Sequence, residues 1–435
     1  MAKRRRSVRR NRALRSAKNA DWAFHAADAE VLDALADGRR GASLREYFGA
    51  PAYAELSDLA AAAKRAKKSR IKKSRGTRVL ILPGIMGSKL GRAAEVLWID
   101  PLQIAAGRLT ALSLPSEVAF KPMGVLLFSY ARLKLTLQIA GFDVAFHAYD
   151  WRTGLDQLGA QLAAKIAADR RPVILVAHSM GALVARMAVR GLPRRLVRRL
   201  VMLGAPNLGS FASVQALRGT YPFVRRMSTL DRKHSPEYLT EKVFRTFPGL
   251  YHMLPAPQRV GGMNLFDPAS WPNDGPTPDP TLLAAAATVR AELAPVDPRM
   301  IHVVGVNQET IVGLRRTAGG FEYAMNRNGD GTVPLALAKL PKLKTYFVDE
   351  SHADLANNSR VIQAIVDLIR RGSTRELPER WRSRPGVTRY IDDVGLRMDA
   401  GPKIDWGRLT PPQRETVFAA LDSGRLLPAA AHPLA

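Results

Sequence analysis

A mostly parallel β-sheet with helices on both faces is the fold this sequence predicts. Two observations carry that expectation. Short apolar, β-branched runs recur along the chain, separated by stretches long enough to be helices. One of these runs, Val173-Ile174-Leu175-Val176-Ala177-His178, leads directly into Ser179-Met180-Gly181 and a helix-forming segment from Ala182 to Arg190. Strand, sharp turn and helix in immediate succession lift a serine off the carboxyl edge of a sheet. The pattern Ala177-x-Ser179-x-Gly181 supplies the small residues that let the two backbones pass closely.

The elements follow in order. Arg78–Leu82 is a short buried strand ending in Pro83-Gly84-Ile85-Met86-Gly87-Ser88. A mixed region around Trp98-Ile99-Asp100-Pro101 precedes an amphipathic helix from Val125 to Ala140, stopped at Gly141. Phe142–Phe146 forms the second strand, closing on His147-Ala148-Tyr149-Asp150-Trp151-Arg152. A helix over Leu155–Ala168 leads to the third strand, the one before Ser179. Arg199–Gly204, Met300–Val306 and Lys344–Asp349 are the fourth, fifth and sixth strands, and Val361–Arg371 is a closing helix. Ligands of such sheets sit beyond the carboxyl ends of the strands. Ser88, Asp150, Ser179 and His352 each come just after a strand, so one shared rim is expected for them.

A chain of 435 residues with 46% apolar content can build a large core. It has no cysteine, which excludes disulfides and thiolate metal sites. No apolar run reaches the length of a membrane span, and the Arg-rich amino end lacks the apolar core of a secretory signal. The formal net charge is +28. Residues 1–76 contribute +12 of it (20 Lys/Arg against 8 Asp/Glu), in two blocks, Lys3 to Lys18 and Lys64 to Arg75. Between the blocks, Asp21 to Ala63 is Ala-rich with apolar residues to bury, and short helices are expected there. The blocks read either as a solvated tail and linker or as an attraction to an acidic surface. Anionic lipid is the better match if the chain acts on lipid. No ordered nucleic-acid module is recognisable, and nucleic acid is not the expected partner.

A serine hydroxyl needs an imidazole to take its proton, and the imidazole needs a carboxylate to hold its tautomer. Of eight histidines, His352 follows the last strand, where a base must arrive to meet a serine placed mid-sheet. His178 adjoins the serine but is expected to point away from it. His147, His234, His252 and His302 read as surface or packing residues, and His25 and His432 lie outside the core. Asp330, in Asn328-Gly329-Asp330-Gly331-Thr332-Val333-Pro334, is the expected carboxylate. Asp349 and Asp354 are too close to His352 in sequence to be favoured. The alternatives are a helix N-cap for Ser179 and an Asx-type turn for Asp330. Backbone amides of Ile85 and Met180 are the expected donors to the oxyanion. The order Ser179, Asp330, His352 is that of the α/β-hydrolases. An α/β-hydrolase domain is therefore expected over 77–372, with a basic extension over 1–76 and a further extension over 373–435 to which the sequence assigns no role.

Six motifs resemble the lecithin:cholesterol acyltransferase family. They are Pro83-Gly84-Ile85-Met86-Gly87-Ser88, Tyr149-Asp150-Trp151-Arg152, Ala177-His178-Ser179-Met180-Gly181, Gly204-Ala205-Pro206-Asn207-Leu208-Gly209-Ser210, the stretch Phe247 to Pro255, and Gly329-Asp330-Gly331-Thr332-Val333-Pro334. The resemblance spans about Arg78 to Arg371 in order. It implies Ser179, Asp330 and His352 as a triad, an oxyanion hole of Ile85 and Met180 amides, acyl chemistry on a lipid ester and a mobile lid. Residues 207–298, mixing apolar side chains with a Pro-rich run, read as that lid or as a structural lobe, with Trp271 either at its tip or packed. The expected activity is a serine hydrolase or acyltransferase of a lipid's carboxylic ester, such as a phospholipase, lipase or O-acyltransferase. The rivals are an idle hydrolase scaffold with basic arms that bind membrane or nucleic acid, and an esterase or thioesterase for small soluble substrates. No cofactor and no metal are expected. The expected location is cytoplasmic, peripheral to an anionic membrane where the basic blocks meet one.

Overall fold

The computed structural model describes residues 21–70, 77–93, 95–116, 119–383, 386–398, 403–410 and 413–414. The first basic block, Lys3 to Lys18, lies outside the described residues, as do residues 71–75 of the second.

Six parallel strands form the central sheet: β1 (Arg78–Leu82), β2 (Asp143–Phe146), β3 (Val173–His178), β4 (Val197–Leu203), β5 (Met300–Gly305) and β6 (Lys344–Val348). Their order across the sheet is β6-β5-β4-β3-β1-β2. β3 is buried along its whole length, as its unbroken apolar run requires when helices cover both faces. Four helices supply that cover: α1 (Leu127–Ile139), α2 (Leu155–Asp169), α3 (Met180–Arg190) and α4 (Ser359–Arg371). α2 packs on α3, and α1 on α4. Right-handed crossovers account for these pairs, because the chain moves one way from β1 to β2 and the other way from β2 through β3 to β4. Gly159 allows the closest approach of α2 to α3, since a Cβ there would overlap Met187. α4 begins at Asn358, whose side chain accepts the Val361 amide at 3.0 Å, and ends at Gly372 in the left-handed region (φ +75°).

The strand order reverses between β1 and β3, which are direct neighbours with Leu82 level with Ala177. Open sheets bind their ligands at such a reversal, outside the carboxyl ends. The turn after β1 and the turn after β3 meet there.

Two sheets were not anticipated from the sequence. A three-stranded antiparallel sheet joins Glu95–Trp98, Ser88–Arg92 and Lys121–Val125. A hairpin of Thr310–Thr317 and Gly320–Asn326 carries a third strand, Arg389–Asp392, from the carboxyl-terminal extension. Residues 22–70, where short helices are expected, form four helices that bind the core rather than trailing from it. Lys89 Nζ donates to the Ala26 carbonyl at 2.7 Å, Asp28 accepts the Val125 amide at 2.9 Å, and Leu44 and Leu56 are buried. Lys64 to Arg70, the described part of the second basic block, ends the helix Ala50–Arg70.

Candidate active site

Ser179 sits where strand turns to helix with φ +52° and ψ −124°. A non-glycine residue occupies that region only under constraint from its surroundings. The constraint is visible: the Ser179 amide donates to the Leu203 carbonyl at 2.8 Å, and its own carbonyl accepts the Ala182 amide at 3.0 Å. Gly181 has no side chain because a Cβ would collide with the Pro83 carbonyl oxygen. The Ser179 hydroxyl makes no capping bond to the helix it precedes. It faces His352 instead, with Oγ 2.8 Å from Nε2.

His352 Nδ1 lies 2.7 Å from Asp330 Oδ2. The other oxygen of Asp330 accepts the amides of Thr332 at 3.0 Å and Val333 at 2.7 Å. Both readings of this aspartate therefore coexist: one oxygen makes the Asx-type turn and the other meets the imidazole. The turn pins the carboxylate, which is 1% exposed. The His352 amide also donates to the Asp330 carbonyl at 2.7 Å. Gly204, at the end of β4, leaves room for this pair. A Cβ on it would stand 2.9 Å from His352 Nδ1 and 3.1 Å from Asp330 Oδ2.

The three predicted side chains thus converge from residues 179, 330 and 352. Ile85 lines the same pocket from the turn after β1, and Met180 opens α3, whose first amides have no i−4 partner. Among the described residues, neither amide has a hydrogen-bond partner within the protein.

Ser88 and Asp150 do not join the site. Ser88 is buried, its hydroxyl accepting the Tyr149 amide at 3.1 Å and its carbonyl accepting Trp151 Nε1 at 3.0 Å. Asp150 pairs with Arg152, which also donates to the Leu112 carbonyl at 3.0 Å. Tyr149 Oη donates to the Pro83 carbonyl at 2.7 Å, and Trp98 Nε1 donates to Met86 at 2.8 Å. These residues brace the Pro83–Ser88 turn from behind. Similarly, Asn207 is held by Arg186 at 3.0 Å, and Ala205 donates its amide to His302 at 2.9 Å. Burial pushes His302 down to about 3, with the nearby Arg186 adding to it, so its ring stays neutral and can accept that bond.

His178 departs from expectation. Its ring does not diverge from the site but lies 4.9 Å from the His352 ring, centroid to centroid. Burial, then the neighbouring His352, depress it to about 3. Tyr130, which touches it, was not singled out by any local signal in the sequence.

The pocket above Ser179 is walled mostly by apolar groups. Ile85, Trp98, Ile99 and Leu126 precede β3 in the chain, and Tyr221, Phe223, Val224, Leu250 and Met253 come from the stretch between β4 and β5. Trp271 is not at a tip: it is buried, donates Nε1 to the Leu265 carbonyl at 2.9 Å and packs against Phe321. Among the described residues no cluster of His, Asp and Glu is suited to hold a metal. No helix among them is long and apolar enough to cross a membrane.

Comparison with known families bears on this geometry. The lecithin:cholesterol acyltransferase family model matches residues 140–365, a little over half the chain. The protein belongs to this family. Membership makes it an ester hydrolase or acyltransferase in general terms, and the match covers all three of the converging side chains. Comparison with curated proteins gives no match. Solved structures that show some similarity to the chain include the Tle4–Tli4 complex, at 13% identity and a TM-score of 0.41, covering 68% of this chain and 98% of that one. Another is the Bacillus licheniformis lipase BlEst2 in its propeptide form, at 17% identity and a TM-score of 0.35, covering 68% and 51%. Phospholipase PlaB from Legionella pneumophila is at 12% identity and a TM-score of 0.29, covering 60% and 46%.

Proposed function

We propose that this member of the family carries the acyl group of a lipid ester on Ser179 and passes it to water or an alcohol. One observation supports this above the others: the unbroken line from Ser179 Oγ to His352 Nε2 at 2.8 Å and from His352 Nδ1 to Asp330 Oδ2 at 2.7 Å. His352 accepts the hydroxyl proton as Oγ attacks the ester carbonyl, and Asp330 stabilises the imidazolium. The amides of Ile85 and Met180 stabilise the oxyanion. The tetrahedral adduct collapses, the ester C–O bond breaks, and His352 returns the proton to the leaving alcohol. The acceptor then loses its proton to His352 and attacks the acyl carbonyl; the bond from Ser179 Oγ to the acyl carbon breaks, and His352 returns the proton to Oγ as the product leaves. The apolar walls favour a lipid acyl chain over a small polar ester.

The charge of the basic blocks adds a second part to the proposal, a peripheral contact with anionic lipid that delivers the substrate. The test is activity on a panel of phospholipids and glycerides with products identified by mass spectrometry, alongside labelling by an alkyl phosphonate. A single adduct on Ser179 and loss of turnover in Ser179→Ala are expected. Wild-type turnover in Ser179→Ala overturns the reading.

A further inference from the structure

Behind Ser179 runs a hydrogen-bonded bridge that the proposed reaction does not itself use. The Gly84 amide donates to Tyr130 Oη at 2.9 Å. Tyr130 Oη lies 2.9 Å from His178 Nδ1, and His178 Nε2 lies 2.9 Å from the His352 carbonyl oxygen. The proton positions follow from the ends. A carbonyl can only accept, so His178 Nε2 carries the hydrogen; neutral Nδ1 must then accept, and the tyrosine hydroxyl donates to it. The phenol oxygen keeps a lone pair for Gly84 N–H. Every group in the chain is satisfied in one arrangement, and the reverse arrangement is impossible. Tyr130 is 3% exposed and His178 is 8% exposed, so water competes little for either.

The bridge spans four segments distant in sequence. One end holds the peptide next to Ile85, and the other holds the carbonyl of His352, whose amide is already tied to Asp330 at 2.7 Å. A Cβ on Gly84 would stand 3.0 Å from Ser179 Cβ and 3.2 Å from His178 Nδ1, so the turn must lie close against the serine for the bridge to form.

We propose that Tyr130 and His178 are positioning residues, a single strut that sets the oxyanion turn and the base in register with Ser179. This rests on the acyl-transfer reading above. Displacing a reacting group by about an ångström can cost about 100-fold in rate. Tyr130→Phe keeps the ring and loses the hydroxyl, so the Gly84 amide loses its acceptor and His178 Nδ1 loses the donor that fixes its ring.

The experiment measures kcat and KM on a short-chain ester for Tyr130→Phe, His178→Gln, His178→Leu and Ser179→Ala, each checked for native melting. It adds 15N NMR of histidine-labelled wild-type protein. The expected result is a kcat lowered about 10- to 100-fold in Tyr130→Phe with KM within about twofold. His178→Gln, which still donates and accepts, should recover part of the activity that His178→Leu loses. The wild-type His178 should show Nε2 protonated and Nδ1 accepting. Folded Tyr130→Phe with wild-type kcat overturns the strut, as does an Nδ1-protonated His178, a test that stands even where a variant fails to fold. Wild-type turnover in Ser179→Ala sinks the acyl-transfer reading itself, so the two failures are distinct.

Discussion

Replacing Asp393 by Ala should detach the carboxyl-terminal segment from the wall of the pocket. Asp393 and Arg218 are both fully buried, and they join residues 175 positions apart. Asp393 Oδ2 accepts from Arg218 Nε at 3.0 Å and Nη2 at 2.8 Å and from the Phe321 amide at 3.2 Å, while Oδ1 accepts from Tyr323 Oη at 2.8 Å. Arg218 belongs to helix Phe211–Arg218, in the stretch between β4 and β5 that walls the pocket, and Phe321 and Tyr323 belong to the hairpin. Breaking a buried ion pair costs about 3–5 kcal/mol, because the charge left behind has no partner. Asp274, a third exposed, still contacts Arg218 and Arg397 and holds the figure down. The stranded Phe321 and Tyr323 donors push it up by about 1 kcal/mol or more each. The balance is about 4 kcal/mol, or roughly a thousandfold in the opening equilibrium. Native-state trypsinolysis at Arg389 and Arg397 reads that equilibrium when reclosing outpaces cleavage. Cleavage should accelerate about a thousandfold in Asp393→Ala and hardly at all in Arg315→Ala, whose side chain is 69% exposed beside Glu322. If Asp393→Ala is cut no faster than wild type, the buried pair does not anchor this segment.

Asp330→Asn should fold normally yet lose about 10³- to 10⁴-fold in kcat. The Thr332 and Val333 amides fix the amide oxygen, so the NH₂ must face His352 Nδ1 and force the wrong tautomer; kinetics with unchanged melting check this. Stability should fall as the pH drops from about 6.5. Burial is the largest cause depressing His178 and His302 to about 3 and His147 and His252 to about 4. Between those values and the ordinary histidine pKa the unfolded chain binds more protons, so each ring forfeits about 1 kcal/mol near pH 5.5. Asp21, raised by burial to about 6, works in the opposite sense but is one group against four; a melting temperature flat from pH 8 to 5 would refute the sum. Removing residues 1–20, which hold nine Lys/Arg and no Asp/Glu, should weaken salt-sensitive binding to anionic vesicles while leaving soluble-ester turnover intact. Equal vesicle binding by the shortened chain would exclude that block as the contact.

What could be read from the sequence depended on whether the signal was local. The six strands announced themselves because burial on both faces demands unbroken apolar runs such as Val173–Ala177, and the family's motifs gave the hydrolase fold. Ser179, Asp330 and His352 could be named because each follows a strand or fills a tight turn, and the fold brings them within hydrogen-bond distance. The hairpin Thr310–Asn326 stayed hidden because much of it is only half-buried, so neither an apolar run nor a clean alternation marks it. The Gly319-Gly320 pair at its turn was the one usable sign. Arg218 and Asp393 gave no sign at all, since each reads as a surface charge until the other arrives to bury it.

Tyr130 shows why such residues escape a linear reading. On helix α1 it is one more aromatic among Phe128, Leu133 and Leu137, and nothing in its neighbours asks for a hydroxyl. The request comes from Gly84, His178 and His352, which reach it only because β1 and β3 are adjacent at the strand reversal. Local geometry suggested that His178 should turn away from its neighbour, and the backbone at Ser179 does bend sharply. Yet the ring finds its two partners at the same reversal, a donor on α1 and an acceptor on the loop after β6. The topology that gathers Ser179, Asp330 and His352 therefore also gathers Tyr130 and His178 beside them, and only the first set follows from residue type.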